Sequence, residues 1–322
     1  MNHVAQSHFS KNLRSQKIIP RFVIDFNAMS QQSQEQYQFI AQILSKHAGE
    51  SAHIDDFQFF YGGNFNLAVR LRIKNTEYFI KWTQGDYQGL FEAEAKNLET
   101  IHATGAIQVP RVLGVGQLEE KEYLMMEGIE SADKQTNYWQ DFGEKLAHLH
   151  QNTTAHGHGL AYTNFIGAAP QENSWTLDGV TFFIENRLKK QVGRALYDRK
   201  ITPEVAEKFE TLYERLPSLL PHEAPALIHG DLWSGNAMVN DQGLITLVDP
   251  CCYYGFREAE LAFTTMFGGF DTKFYDAYHA NFPIEKGFHE RIPLYNLYPL
   301  MVHVNLFGEG YLPAVNKILA TF

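Results

Sequence analysis

Apolar residues recur along this chain first at a helical spacing and then at a strand spacing. After a Gln/Ser-rich patch at Ser30–Gln36, Ile40, Ile43, Leu44 and His47 share one stripe of a helix that Gly49 is expected to stop. From Phe57 to Trp82 the pattern becomes β-like. Phe57–Tyr61 and Ala68–Ile73 are apolar or alternating, and Tyr78–Trp82 follows the polar turn Lys74–Glu77. Gly62-Gly63-Asn64-Phe65-Asn66 separates the first two runs. A helix over about Phe91–Thr104 carries an apolar stripe of Phe91, Ala95, Leu98 and Ile101. Beyond Val109-Pro110, two short strands end in Tyr123–Glu127.

Past Gly128 the period changes. Trp139–His150, Val180–Leu196 and Glu204–Leu216 read as helices. Strands return at Ala226–Ile228, Ala237–Asn240 and Leu244–Val248, the last two around an Asp241-Gln242-Gly243 turn, before a mostly helical tail from Glu258 to Phe322. The pattern predicts an α+β fold in three parts: an N-terminal extension over 1–30, a β-rich N-lobe over 31–128, and a mainly helical C-lobe with a small hairpin over 129–322.

Composition narrows the function classes. The 322 residues, 44% hydrophobic, suffice for one large or two closely packed domains. The formal charge of −10 has its signs interspersed and no Lys/Arg-rich run, so no nucleic-acid partner is expected. The two cysteines, Cys251 and Cys252, are adjacent and cannot bridge without strain, and no spaced Cys/His cluster suggests zinc. Met1–Ile24 lacks the apolar region of a signal peptide, and no apolar run approaches the ~20 residues of a membrane span. The expectation is a cytoplasmic protein with no membrane partner, a monomer or weak homodimer.

The densest chemistry is His229-Gly230-Asp231-Leu232-Trp233-Ser234-Gly235-Asn236, followed after the hairpin by Val248-Asp249-Pro250. Phosphoryl transfer needs a carboxylate to accept a hydroxyl proton and hard oxygen ligands to hold Mg²⁺ against phosphates. Asp231 and Asn236 have the spacing of the base and the metal ligand in a kinase catalytic loop, and Asp249 stands where the second metal ligand belongs. Each alone also reads as a turn cap or strand end. Lys81, an isolated charge in an apolar strand, is the candidate phosphate-binding lysine, although an exposed edge-strand lysine fits it too. Of its possible partners Glu92 and Glu94, Glu94 falls within the apolar stripe and needs a partner there. Gly62, Gly63 and Asn64 are candidates to cradle phosphates, or simply form a hairpin. Glu127, Gly128 and Ile129 would form the hinge whose backbone binds adenine. The implied cofactors are ATP and Mg²⁺.

With these residues in place, the chain resembles the fructosamine/ketosamine-3-kinase family, within the aminoglycoside-phosphotransferase-like kinases of protein-kinase-like fold. The segment His229–Asn236 carries the resemblance, as does Asp249-Pro250 through Tyr253–Ala262 to Met266–Phe270. Phe182-Phe183, Arg187-Leu188 and Tyr275–Tyr278 fit as well. It runs from about Phe60 to Phe307. The resemblance implies ATP-dependent phosphorylation of the sugar O3 of ketosamines, free or as glycated lysines on proteins, a deglycation repair activity. It also suggests Trp233 against the sugar ring, or as a buried anchor, and Glu258 or Glu260 at a cationic amine, or at a helix start. The glycine-rich loop lacks the cysteine some members use as a redox switch, and the absence of an A-P-E motif and of Arg before Asp231 argues against a regulated protein kinase. The alternatives are a choline- or aminoglycoside-type small-alcohol kinase and a nucleotide-binding pseudokinase.

Overall fold

The computed structural model describes residues 30–48, 54–62, 66–85 and 87–322. The extension through residue 29, the helix stop at Gly49 and the phosphate candidates Gly63 and Asn64 lie outside them. Helix α1 (Gln31–Ala48) covers one face of an antiparallel sheet built from β1 (Asp56–Gly62), β2 (Asn66–Ile73), β3 (Thr76–Thr83), β4 (Val112–Leu118) and β5 (Lys121–Glu127). The strand order is β1-β2-β3-β5-β4. Because strand side chains alternate between faces, β5 serves two cores. Tyr123 and Met125 join Ile40, Ile43, Val69, Ile80 and Trp82 beneath α1. Leu124 and Met126 join Phe91, Leu98 and Ile101 of helix α2 (Leu90–Thr104) in a larger core that continues into the helical lobe. Helix α2 ends where Gly105 takes φ 64°, a left-handed cap that glycine adopts without a steric penalty.

Beyond Gly128 the chain runs through α3 (Tyr138–His150), the hairpin β6 (Asn164–Ile166) and β7 (Ala169–Gln171), α4 (Gly179–Phe182), a π-helical turn (Phe183–Leu188), α5 (Lys189–Tyr197) and α6 (Pro203–Leu219). Then come β8 (Ala226–Ile228), β9 (Ala237–Val239), β10 (Ile245–Leu247), β11 (Tyr253–Gly255), α7 (Arg257–Thr264), α8 (Thr272–Asn281), α9 (Phe288–Phe307) and α10 (Leu312–Leu319). Gly143 lets α3 and α8 meet closely: a Cβ there would lie 2.2 Å from the Phe274 carbonyl oxygen. β9 pairs with β10 in the expected small hairpin, and Leu247 donates its N–H to Gln108 O, tying that hairpin to the first lobe.

Three features depart from the pattern reading. The β6–β7 hairpin has strands of three residues, too short to register a period of two. Strand β11, equally short, pairs with β8. The helix expected over Val180–Leu196 is interrupted by the π-turn, which apolar spacing does not reveal. Among the described residues no helix is long and apolar enough to cross a membrane.

Candidate active site

The sheet, α2 and the loops after β8 and β10 converge on a cleft of about 180 Å³ whose lining includes Asn66, Lys81, Glu94, Asn97, Asp231 and Asp249. Lys81 sits in central strand β3, hydrogen-bonded on both sides, so its position is fixed by the ladder. Its Nζ lies 2.8 Å from Glu94 Oε1 and 2.5 Å from Asp249 Oδ1. Burial opposes the charge on Lys81, but Asp249 and Glu94 outweigh it and raise its pKa. Glu92, the other candidate partner, points to solvent near Lys96. The carboxylate within the apolar stripe is thus the one that pairs with Lys81.

Asp231 follows β8 on a loop whose backbone passes too close to Cys251 for a side chain at position 230. Gly230 has φ 88°, and a Cβ on it would lie 2.4 Å from the Cys251 carbonyl oxygen. The Asn236 amide Nδ2 donates to Asp231 O at 2.8 Å and to Asp231 Oδ2 at 3.0 Å. Burial, followed by the Asp249 charge, pushes the Asp231 carboxyl up to about 7. The β9–β10 hairpin then returns the chain so that Val248 N–H bonds Asn236 O, and Asp249 enters the cleft with φ 57°, a left-handed conformation rare outside glycine. His229 is buried, which lowers its pKa; its neutral ring fits as an Nε2–H donor to Val248 O at 2.9 Å with Nδ1 accepting from Asp231 N–H.

The two acidic candidates after the loop have structural partners. Glu260 is buried and accepts from the N–H of His229 (3.1 Å), the N–H of Gly230 (2.7 Å) and His150 Nε2 (2.7 Å). Burial works against its charge, yet His150 and the Gly230 N–H keep its carboxyl below the usual range. Glu260 thus anchors the Asp231 loop from below. Glu258 is likewise buried, with both carboxylate oxygens on Arg291 of α9 at 2.6 and 2.7 Å. The expected substrate contact at Glu258 is corrected: α7 turns this side chain into the lobe, where Arg291 consumes both oxygens. Arg291→Ala should leave a buried carboxylate unpaired and destabilise the protein by about 3–5 kcal/mol. Urea unfolding reads that loss, and acceptor KM of the folded fraction should stay unchanged.

Trp233 is half-buried and meets the exposed ring of Phe267 edge-on at 6.0 Å, with Gly235 against its indole. It flanks Asp231 without being a core residue. At the hinge, the N–H of Glu127 bonds Arg111 O, the N–H of Gly128 bonds Glu77 O, and the Glu127 carboxylate takes Arg111 Nε at 2.8 Å. Neither N–H can donate to a base, which corrects that part of the hinge reading and leaves Ile129 and the backbone carbonyls. Gly62 ends β1 opposite Asn66, beside the cleft.

Sequence reading missed Asn97, Phe165 and Gly167 in the cleft wall. Asn97 carried a signal, a polar residue beside the buried stripe of α2; the other two stand on the short β6–β7 hairpin. For a divalent cation, the donor set fits. Asn236 spends Nδ2 on Asp231 and retains an amide oxygen, and the Asp249 carboxylate stays half-exposed to the cleft. Among the described residues no three His, Cys, Asp or Glu side chains form a metal nest. Two hard oxygen donors suit a cation that arrives with nucleotide phosphates and water.

A strand lysine held by a helix glutamate, facing an Asp–Asn loop and a following Asp across a two-lobed cleft, defines an ATP-dependent phosphotransferase of the kinase class. The sequence profile of the fructosamine kinase family matches residues 36–322, and the chain belongs to that family. A protein of Synechocystis sp. described as a probable ketoamine kinase is 38% identical over 283 residues, 88% of this chain and 95% of that one. A chloroplastic protein-ribulosamine 3-kinase of Arabidopsis thaliana is 34% identical over 262 residues, 80% of this chain and 79% of its own. A crystal structure described as a putative fructosamine-3-kinase from Haemophilus somnus superposes with a TM-score of 0.78 at 28% identity, covering 88% of this chain and 96% of that one. Aminoglycoside phosphotransferase APH(4)-Ia, in a ternary complex with AMP-PNP and hygromycin B, shares the fold at a TM-score of 0.59 and 15% identity, covering 88% of this chain and 98% of its own.

Proposed function

We propose that the protein transfers the γ-phosphoryl group of ATP to the sugar 3-hydroxyl of ketosamines, as small adducts or as glycated lysines on proteins. The observation that supports this reading is the meeting of Asp231, Asn236, Asp249 and Lys81 in one cleft, in a chain whose relatives are described as ketoamine and ribulosamine kinases. In this mechanism Asp231 orients the attacking hydroxyl and accepts its proton. Asn236 Oδ1 and the Asp249 carboxylate would hold Mg²⁺, which when bound neutralises charge on the phosphates. Lys81 fixes the phosphate oxygens, and Glu94 fixes Lys81. Trp233 offers an aromatic face beside the reacting hydroxyl.

On this reading the reaction serves deglycation repair, the role that the resemblance to ketosamine kinases implies. The test is ATP consumption with Mg²⁺ and fructosyl-lysine, ribulosyl-lysine, choline or an aminoglycoside as acceptor. Turnover confined to the two ketosamines is expected. Turnover on choline or the aminoglycoside alone would keep the kinase mechanism and overturn the repair role.

A further inference from the structure

Beneath the cleft lies a chain of buried amides that the phosphoryl-transfer residues do not explain. Asn97, Asn164, Gln171 and Asn173 are each at most 2% exposed, and they come from helix α2, the β6–β7 hairpin and the loop after it. Burying four carboxamides in a core is costly unless every polar atom is satisfied. Here the bonds all run one way. Arg187 Nη2 donates to Asn173 Oδ1 (2.6 Å), Asn173 Nδ2 to Asn164 Oδ1 (2.9 Å), and Asn164 Nδ2 to Asn97 Oδ1 (3.0 Å). A second branch begins at Tyr298, whose hydroxyl donates to Gln171 Oε1 (2.6 Å), while Gln171 Nε2 donates to Asn164 Oδ1 (2.8 Å).

Both branches end on backbone carbonyls of three consecutive residues. Asn97 Nδ2 donates to Pro250 O (2.8 Å), Gln171 Nε2 to Cys251 O (3.0 Å) and Asn164 Nδ2 to Cys252 O (2.8 Å). Arg187 can only donate and a carbonyl can only accept, so the orientation of every amide between them is determined. Arg187 itself is fully buried in the π-turn, stacked 3.8 Å over the Tyr253 ring, and both its terminal nitrogens bond oxygens of Glu172, Asn173 and Asn186.

The segment so clamped begins one residue after Asp249, whose left-handed φ needs support from its surroundings. The clamp also reaches α2 one turn beyond Glu94, since Asn97 is three residues on. We propose that Asn97, Asn164 and Gln171 are positioning residues for phosphoryl transfer, locking the Asp249 segment to the helix that carries Glu94 so that the phosphate and metal-binding groups stand assembled before nucleotide arrives. The segment that follows the metal-ligand aspartate is thereby a fixed part of the core, with no free activation loop to be ordered.

The test substitutes leucine for the amide at Asn97, with Asn305→Leu as a control that loses a buried amide bonded to Gln191 elsewhere in the helical lobe. Calorimetric titration with Mg²⁺ and a non-hydrolysable ATP analogue reads assembly without an acceptor, so it stands even if ketosamines prove not to be the substrate. Asn97→Leu should weaken Mg²⁺-dependent analogue binding and lower kcat, each by about 10–100-fold, with acceptor KM little changed. Asn305→Leu should lower Tm yet keep both. Equal behaviour of the two variants, or parental binding and kcat in Asn97→Leu, overturns the proposal. Should Asn97→Leu not fold, Tyr298→Phe deletes one hydroxyl at constant ring volume. It should lower kcat by about two- to fivefold; an unchanged kcat overturns the proposal equally.

Discussion

Asp231→Asn is expected to lower kcat by about 10²–10⁴-fold while nucleotide affinity stays near that of the parent. The exchange keeps the side chain's shape and removes only its ability to take the hydroxyl proton. Asn236 Nδ2 now donates to the amide oxygen of the new side chain in place of the carboxylate, and it keeps its bond to the backbone carbonyl of residue 231. Since burial and Asp249 both work against the Asp231 charge, neutralising it relieves the site, and Tm should not fall. Single-turnover kinetics with a saturating acceptor, beside analogue titration, separate the two quantities. A variant retaining most of its kcat would remove Asp231 from the role of base.

The second large effect is expected at Lys81. Lys81→Met removes the cation that faces Glu94 and Asp249 in the cleft, so two carboxylates are left without their partner. Glu94 is the more buried and suffers most; burial already pushes its pKa up, with only Lys81 pulling strongly against it. Loss of one member of such a pair costs about 3–5 kcal/mol, and loss of the phosphate contact should reduce kcat/KM for ATP by at least about 10²-fold. Adding Glu94→Leu should restore much of the lost stability, because the buried carboxylate goes with its cation and only the half-exposed Asp249 stays unpaired, yet restore no activity. Unfolding curves and ATP kinetics on the single and double variants check this. Recovery of activity in the double variant would mean that Lys81 acts only as a counterion for Glu94.

Much of this site could be read before any coordinates. Lys81 and Glu94 announced themselves as charges inside apolar periods, and Asp231, Asn236 and Asp249 by spacing around a hairpin. Such signals are local, within one strand, one helix or one loop. Glu258 misled because local context cannot show which way α7 faces: the same residue at a helix start points to solvent or, as here, to Arg291 on an element 33 positions away. The hinge N–H groups failed for a similar reason, since their acceptors lie elsewhere in the chain, at Arg111 just before β4 and at Glu77 on β3. The amide chain is the extreme case. Asn164, Gln171 and Asn173 obey no period and share no motif, and even Asn97, marked by its place beside the buried stripe of α2, shows no partner until the β6–β7 hairpin folds under that helix.

The two thiols of the chain lie inside that same layer. Cys251 and Cys252 are 2% and 0% exposed, and the Cys252 thiol sits 3.5 Å from the Asn97 amide oxygen. A thiol in this position reacts with an alkylating reagent only when the surrounding structure opens, so labelling speed becomes a clock for that opening. With no other cysteine to label, a single mass measurement on the intact protein follows one defined event. The clock should slow when Mg²⁺ and nucleotide are added and run faster in Asn97→Leu than in Asn305→Leu, turning the floor of the cleft into its own reporter.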